Sequence, residues 1–170
     1  KGDVLVCTVT ATDTHGGTAT GTAGATVENS PPEVLSVAVD PATGITTSTA
    51  LACTAEGADA DEDTLSVAYA WDDGSGNGLG AESALQLDAT IVQPGDAVTC
   101  TATFSDDDAG EGSGSASVEV ENSAPEMVSV EITVPEGHAW TGTVATCSAL
   151  GADSDENEAQ LAYSYVWSLD

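Results

Sequence analysis

Positive charge is almost absent from this chain of 170 residues: a single Lys or Arg stands against 29 acidic residues, a formal net charge of -28. Phosphate binding needs cationic side chains, so nucleic acid is a very poor candidate partner. An anionic membrane surface is excluded on the same ground. Aromatic residues are scarce too, with one Phe, three Trp and three Tyr, so any core must be built from small side chains. No apolar run approaches the roughly 20 residues of a membrane-spanning helix. No segment carries a helical period. The chain begins on Lys1, with no signal-peptide pattern, which reads as a mature or internal piece. A chain so acidic repels itself unless salt screens it or divalent cations neutralise it.

What is plentiful is Thr, Ser, Val and Gly, the residues of strands and turns, and they recur in order. Cys7-Thr8-Val9-Thr10-Ala11-Thr12-Asp13 returns as Cys100-Thr101-Ala102-Thr103-Phe104-Ser105-Asp106, 93 positions on. Val27-Glu28-Asn29-Ser30-Pro31-Pro32-Glu33 returns as Val120-Glu121-Asn122-Ser123-Ala124-Pro125-Glu126, again at 93. Cys53 returns as Cys147 at 94 and Trp71 as Trp167 at 96, a drift that loop insertions would give. The expected division is the end of one repeat in residues 1–29, a complete repeat in 30–122, and the start of a third in 123–170. That phase suggests a window on a longer tandem array.

Within the complete repeat, period-two alternation marks strands around Leu35, Val37 and Val39; Thr49, Leu51, Cys53 and Ala55; and Leu65, Val67, Tyr69 and Trp71. Further strands are expected at Leu85, Leu87, Ala89 and Ile91; at Val98, Cys100, Ala102 and Phe104; and at Ala116, Val118 and Val120. Turn-rich segments such as Asp72 to Gly80 separate them. The fold class is all-β. By the same reading residues 1–29 supply two last strands and residues 123–170 three first ones.

Cys53 and Cys100 fall on predicted inward faces, with Trp71 between them in sequence on the same core. Cys, Trp and Cys so placed form the pattern of an immunoglobulin-type sandwich, whose bridge joins two sheets under the indole. The expected fold is therefore a tandem of immunoglobulin-like Greek-key β-sandwiches with an inter-sheet disulfide. Two separate buried thiols are the alternative reading. Trp167 would be the core indole of the next repeat. Cys7 and Cys147 would pair outside the fragment or between chains. Val98 stands where a tyrosine corner would place Tyr, so the likeness to antibody domains is one of architecture.

Asp59-Ala60-Asp61-Glu62-Asp63-Thr64-Leu65, leading to Tyr69-Ala70-Trp71-Asp72-Asp73-Gly74, resembles the corresponding stretch of PKD-type and related bacterial Ig-like repeats. The Asn-Ser-Pro-Pro and Asn-Ser-Ala-Pro junctions resemble linkers between such repeats in very long bacterial surface proteins. The resemblance implies a modular protein at the cell surface or outside the cell, and no particular ligand.

Acidic loops are the only candidate sites. Asp59, Asp61, Glu62 and Asp63 lie between the second and third strands, and Asp106, Asp107, Asp108 and Glu111 between the last two. The third repeat has Asp153, Asp155, Glu156 and Glu158 at the first location. In an immunoglobulin-like sandwich both loops sit where the chain enters, beside linker residues Glu28, Asn29 and Glu33. Calcium takes six to eight oxygen ligands in irregular geometry, so it is the one cofactor this convergence implies. A solvated pair of acidic loops is the alternative. The complete repeat contains no His, which leaves no Ser-His-Asp assembly there, and acidic loops on a small sandwich offer no cleft for acid/base work. A structural role in a stalk or filament follows, with neighbouring repeats and other copies as partners, at the cell surface or beyond it. An adhesin module, hinted at by Trp140 beside His138, and an accessory domain of a secreted hydrolase are the other readings.

Overall fold

The computed structural model describes residues 1–156 and 160–168. Strand alternation dominates as the sequence leads one to expect, and no α-helix occurs among the described residues. Among the described residues no helix is long and apolar enough to cross a membrane. The strands are β1 (Val4–Thr12), β2 (Thr18–Thr26), β3 (Glu33–Asp40), β4 (Ala50–Ala58), β5 (Ser66–Asp72), β6 (Gly78–Gly80), β7 (Ala84–Gln86), β8 (Ala97–Ser105), β9 (Glu111–Glu119), β10 (Glu126–Thr133) and β11 (Thr146–Ala152). They form a β1-β2 hairpin, a β10-β11 hairpin, a three-stranded sheet ordered β3-β4-β7 and a four-stranded sheet ordered β6-β5-β8-β9. The two larger sheets give a β-sandwich-like arrangement.

The chain separates into two compact units. The unit of Val39–Cys53, Ala70–Cys100 and Ala116–Asp170 contains most of the buried side chains. Leu51 and Cys53 of β4, Trp71 of β5, and Val98 and Cys100 of β8 are all buried. Cys53 and Cys100 are disulfide-bonded with their Cα atoms 6.4 Å apart, so the bond ties the three-stranded sheet to the four-stranded one. Closing a loop of 47 residues restricts the unfolded chain by about 4 kcal/mol in the chain-entropy account. Trp71 is 1% exposed, and its indole N–H donates to the Glu82 carbonyl at 2.8 Å, so its one polar group is satisfied.

The unit of Lys1–Ala38, Thr54–Tyr69 and Thr101–Ser115 carries a smaller buried set, Pro32, Ala102 and Phe104. Glycine makes its packing possible. A Cβ on Gly57 would lie 3.0 Å from the Phe104 ring, and one on Gly112 would lie 2.1 Å from the Pro32 carbonyl oxygen. These glycines dilute the alternation, which is why the last strand of the repeat reads as starting at Ala116 when β9 starts at Glu111.

Three expectations change. The strand expected through Leu85 to Ile91 is only the three residues of β7. Beyond it the Asp88 carboxylate accepts the Thr90 N–H at 2.8 Å, and the Asp88 carbonyl accepts the Ile91 and Val92 N–H groups. The chain turns there, so Val92 is buried while Ile91 is 36% exposed. The Asp72 to Gly80 segment contains the short strand β6 at its end. Finally, residues 161–168 carry no strand, where a third strand of the last repeat was expected. Their counterpart β5 pairs with β6 and β8.

Candidate junction site

Two loops are built by the same device. Asp59 Oδ1 accepts the N–H of Asp61 at 2.7 Å and of Asp63 at 3.5 Å. Asp106 Oδ1 accepts the N–H of Asp108 at 2.9 Å and of Gly110 at 2.7 Å. An Asp side chain that holds its own downstream backbone closes a turn without help from a neighbour. Each turn is completed by a residue in the left-handed region, Glu62 at φ 62 and Ala109 at φ 65. The β1-β2 hairpin repeats the second device, since Asp13 Oδ1 accepts from His15 N–H at 2.9 Å and Gly17 N–H at 2.7 Å.

The linker then joins these loops. Ser30 N–H donates to Asp61 Oδ2 at 2.7 Å, and Asn29 Nδ2 donates to Asp106 Oδ2 at 2.8 Å. The Ser30 amide holds the Asp61 carboxyl below the ordinary carboxylate range, against a smaller opposing effect of desolvation. The Asn29 amide does the same for Asp106. Oxygens of Asp59, Asp61 and Asp63 come within 4.8 Å of one another. The Lys1 ammonium contacts both Asp63 and Asp108, and the amino terminus lies 3.8 Å from Asp61 Oδ1. Hydrogen bonds to Asp108, then Asp63, raise the Lys1 pKa. Two oxygens of these residues, Asn29 Oδ1 and Asp59 Oδ2, are buried with no hydrogen-bond partner.

Of the expected ligand set, Asn29, Asp59, Asp61, Asp63, Asp106 and Asp108 are thus brought together. Glu28, Glu33 and Asp107 are exposed, outside this hydrogen-bond network. Among the described residues, Asp59, Asp61 and Asp63 form a group that could hold a metal ion, and carboxylate oxygens are donors that calcium takes.

A second junction repeats the first. Asp155 N–H donates to Asp153 Oδ1 at 2.8 Å, and Ser123 N–H donates to Asp155 Oδ2. Ser123 and Asp155 stand 93 and 94 positions after Ser30 and Asp61. Here Thr47 joins as well: its buried hydroxyl lies 2.7 Å from Asp155 Oδ1 and 3.0 Å from the Ser154 carbonyl oxygen. Asp155 is itself buried. Burial opposes its ionisation, but the Ser123 N–H and the Thr47 hydroxyl prevail and hold its carboxyl below the ordinary range. Glu158, expected in this loop, lies outside the described residues.

Sequence reasoning missed Ser30, Ser123 and Thr47. The serines were visible as members of the repeated Asn-Ser junction, at the same spacing as the aspartates they hold. Thr47 gave no signal, because one hydroxyl in a Thr-rich loop is not distinguished by its type. Between β10 and β11 the His138 and Trp140 rings lie 6.2 Å apart between centroids, with Trp140 73% exposed. A comparison with protein-family models and with curated proteins finds no match.

Proposed function

We propose that the chain is a structural segment of an extracellular stalk or filament protein, built of tandem immunoglobulin-like Greek-key sandwiches whose junctions calcium stiffens. The observation that carries the reading is the recurrence of one junction at the repeat spacing, Ser30 on Asp61 braced by Asp59 and Ser123 on Asp155 braced by Asp153. A linker clamped by hydrogen bonds to a loop of the following repeat transmits orientation from repeat to repeat. The disulfide fits an oxidising compartment, and the acidic surface fits a saline, calcium-containing one.

At the first junction Asn29, Asp59, Asp61, Asp63, Asp106 and Asp108 would hold the ion. Calcium bound there neutralises carboxylates that otherwise repel and links both loops to the linker. In its absence the Lys1 ammonium takes part of that role. Exposed Trp140 beside His138 favours the adhesin as the second reading, with an apolar or aromatic group as ligand. Small-angle scattering with calcium and with a chelator tests the structural reading. A longer mean end-to-end dimension in calcium is the expected result, and identical profiles would count against it.

A further inference from the structure

Asn77 is followed by Gly78 in the exposed turn between β5 and β6. A side-chain amide is lost spontaneously when the backbone nitrogen of the next residue attacks its carbonyl carbon, so the state of that nitrogen decides which asparagine reacts. At Asn29 the nitrogen is engaged: the Ser30 N–H donates to Asp61 Oδ2 at 2.7 Å, while the Asn29 side chain is itself tied to Asp106. At Asn122 the Ser123 N–H donates to Asp155 Oδ2. The fourth asparagine, Asn157, lies outside the described residues.

Gly78 offers the opposite setting. The Asp73 N–H donates to the Asn77 carbonyl at 3.2 Å, and the next pair across the turn is Asp72 with Gly78. Bonded and non-bonded pairs alternate in an antiparallel ladder, so the Gly78 N–H is not committed to Asp72. Glycine has no Cβ to block approach to its nitrogen, and a Cβ built on Gly78 would meet nothing within 4 Å. One restraint acts on the other partner. Asp73 Oδ2 accepts from Asn77 Nδ2 at 2.6 Å, and Asp73 Oδ1 accepts from the Asn77 N–H at 3.0 Å. The Asn77 side-chain amide is the main cause that holds the Asp73 carboxyl below the ordinary carboxylate range.

We propose that Asn77 is a site of spontaneous deamidation, with the Gly78 nitrogen as nucleophile, water as co-reactant and Asp73 as the brake on its rate. The Gly78 nitrogen gives up its proton to solvent and bonds to Asn77 Cγ. The Cγ–Nδ2 bond breaks, and Nδ2 takes up a proton and leaves as ammonia. Water then opens the resulting five-membered imide at either carbonyl, which leaves aspartate or isoaspartate at position 77. Closing that ring draws Cγ towards the chain that follows it, so the Nδ2 bond to Asp73 is broken on the way. The product cannot restore it. A carboxylate has no N–H to donate, and it sets a like charge across the turn from Asp73. Deamidation thus releases the clamp for good, and the β5-β6 turn loosens as the molecule ages. Neither step involves the junctions or calcium.

The test is incubation of the chain at mildly alkaline and mildly acidic pH, followed by peptide mapping by mass spectrometry with detection of isoaspartate. Peptides carrying Asn77 should gain the mass of an amide-to-acid conversion, with isoaspartate among the products and more of both at the alkaline pH. Asn29 and Asn122 should remain amides over the same interval. Gly78→Ala should lose most of the product, because its Cβ shields the nitrogen. Asp73→Ser keeps an oxygen for the backbone of the turn but has no second one for Asn77 Nδ2, and should convert about tenfold faster. In Asn77→Asp, which carries the aspartate product, the Ser75 N–H that Asp73 Oδ1 accepts at 2.9 Å should exchange with solvent faster than in the parent. An intact Asn77 at alkaline pH, earlier conversion of Asn29 or Asn122, or unchanged rates in Gly78→Ala or Asp73→Ser would each overturn the proposal. Acceleration in Asp73→Ser that Asn29 and Asn122 share would mean general unfolding and deny Asp73 its role. Unchanged exchange in Asn77→Asp would deny the release of the clamp.

Discussion

Thr47 and Asp155 show how much one side chain can decide in this molecule. The Thr47 hydroxyl is 1% exposed and donates to a carboxylate that is itself buried. Thr47→Val removes that donor and leaves a charged oxygen underpaired, which should cost about 1–3 kcal/mol in urea unfolding near neutral pH. Asp155 has its pKa lowered in the fold, so its contribution is present above the ordinary carboxyl pKa, about 3.9, and is lost as pH falls through the lowered value. The gap between Thr47→Val and the parent chain should therefore be constant from neutral pH down to about pH 4 and narrow below it. A gap independent of pH would deny the hydroxyl its role on the carboxylate. The disulfide is the other residue-scale anchor: Cys53→Ala with Cys100→Ala should lose about 2–5 kcal/mol, measured by thermal unfolding.

At the scale of elements, the legible strands were those whose alternation is carried by side chains. Val98, Cys100, Ala102 and Phe104 read as one inward face and are buried together on β8. The illegible stretches lack that signal for identifiable reasons. Gly112 and Gly114 have no side chain to alternate, so the first half of β9 was invisible. Asp88 ended β7 early through its own hydrogen bonds, and turn chemistry outweighed the apolar spacing that runs on to Ile91. Residues 161–168 keep the strand-like spacing but carry no strand. The close approach at Gly112 can be measured directly. Gly112→Ala sets a methyl against the Pro32 carbonyl and should cost about 1–3 kcal/mol. Gly78→Ala, where a Cβ meets nothing within 4 Å, should change stability by less than about 0.5 kcal/mol. Equal effects would mean that β9 does not depend on that approach.

On the scale of the whole molecule, the recurring segments and the acidic composition were plain in the sequence, whereas the meeting of the two loops with the linker was an expectation drawn from immunoglobulin-like architecture. Which acidic groups converge was only partly readable, because exposure of Glu28, Glu33 and Asp107 depends on side-chain direction in loops. Under the proposed function, the buried, unpartnered oxygens of Asn29 and Asp59 belong to a calcium site. The most direct test is the melting temperature of the chain and of its Asp59→Asn variant across a calcium titration at constant ionic strength. An affinity of about 0.1–1 mM is typical of extracellular calcium modules, and calcium at 100 times its Kd stabilises by about 2.7 kcal/mol. The account predicts a rise in melting temperature that saturates with calcium, is not matched by magnesium, and is largely lost in Asp59→Asn. A melting temperature that responds equally to calcium and magnesium, or not at all, would contradict it.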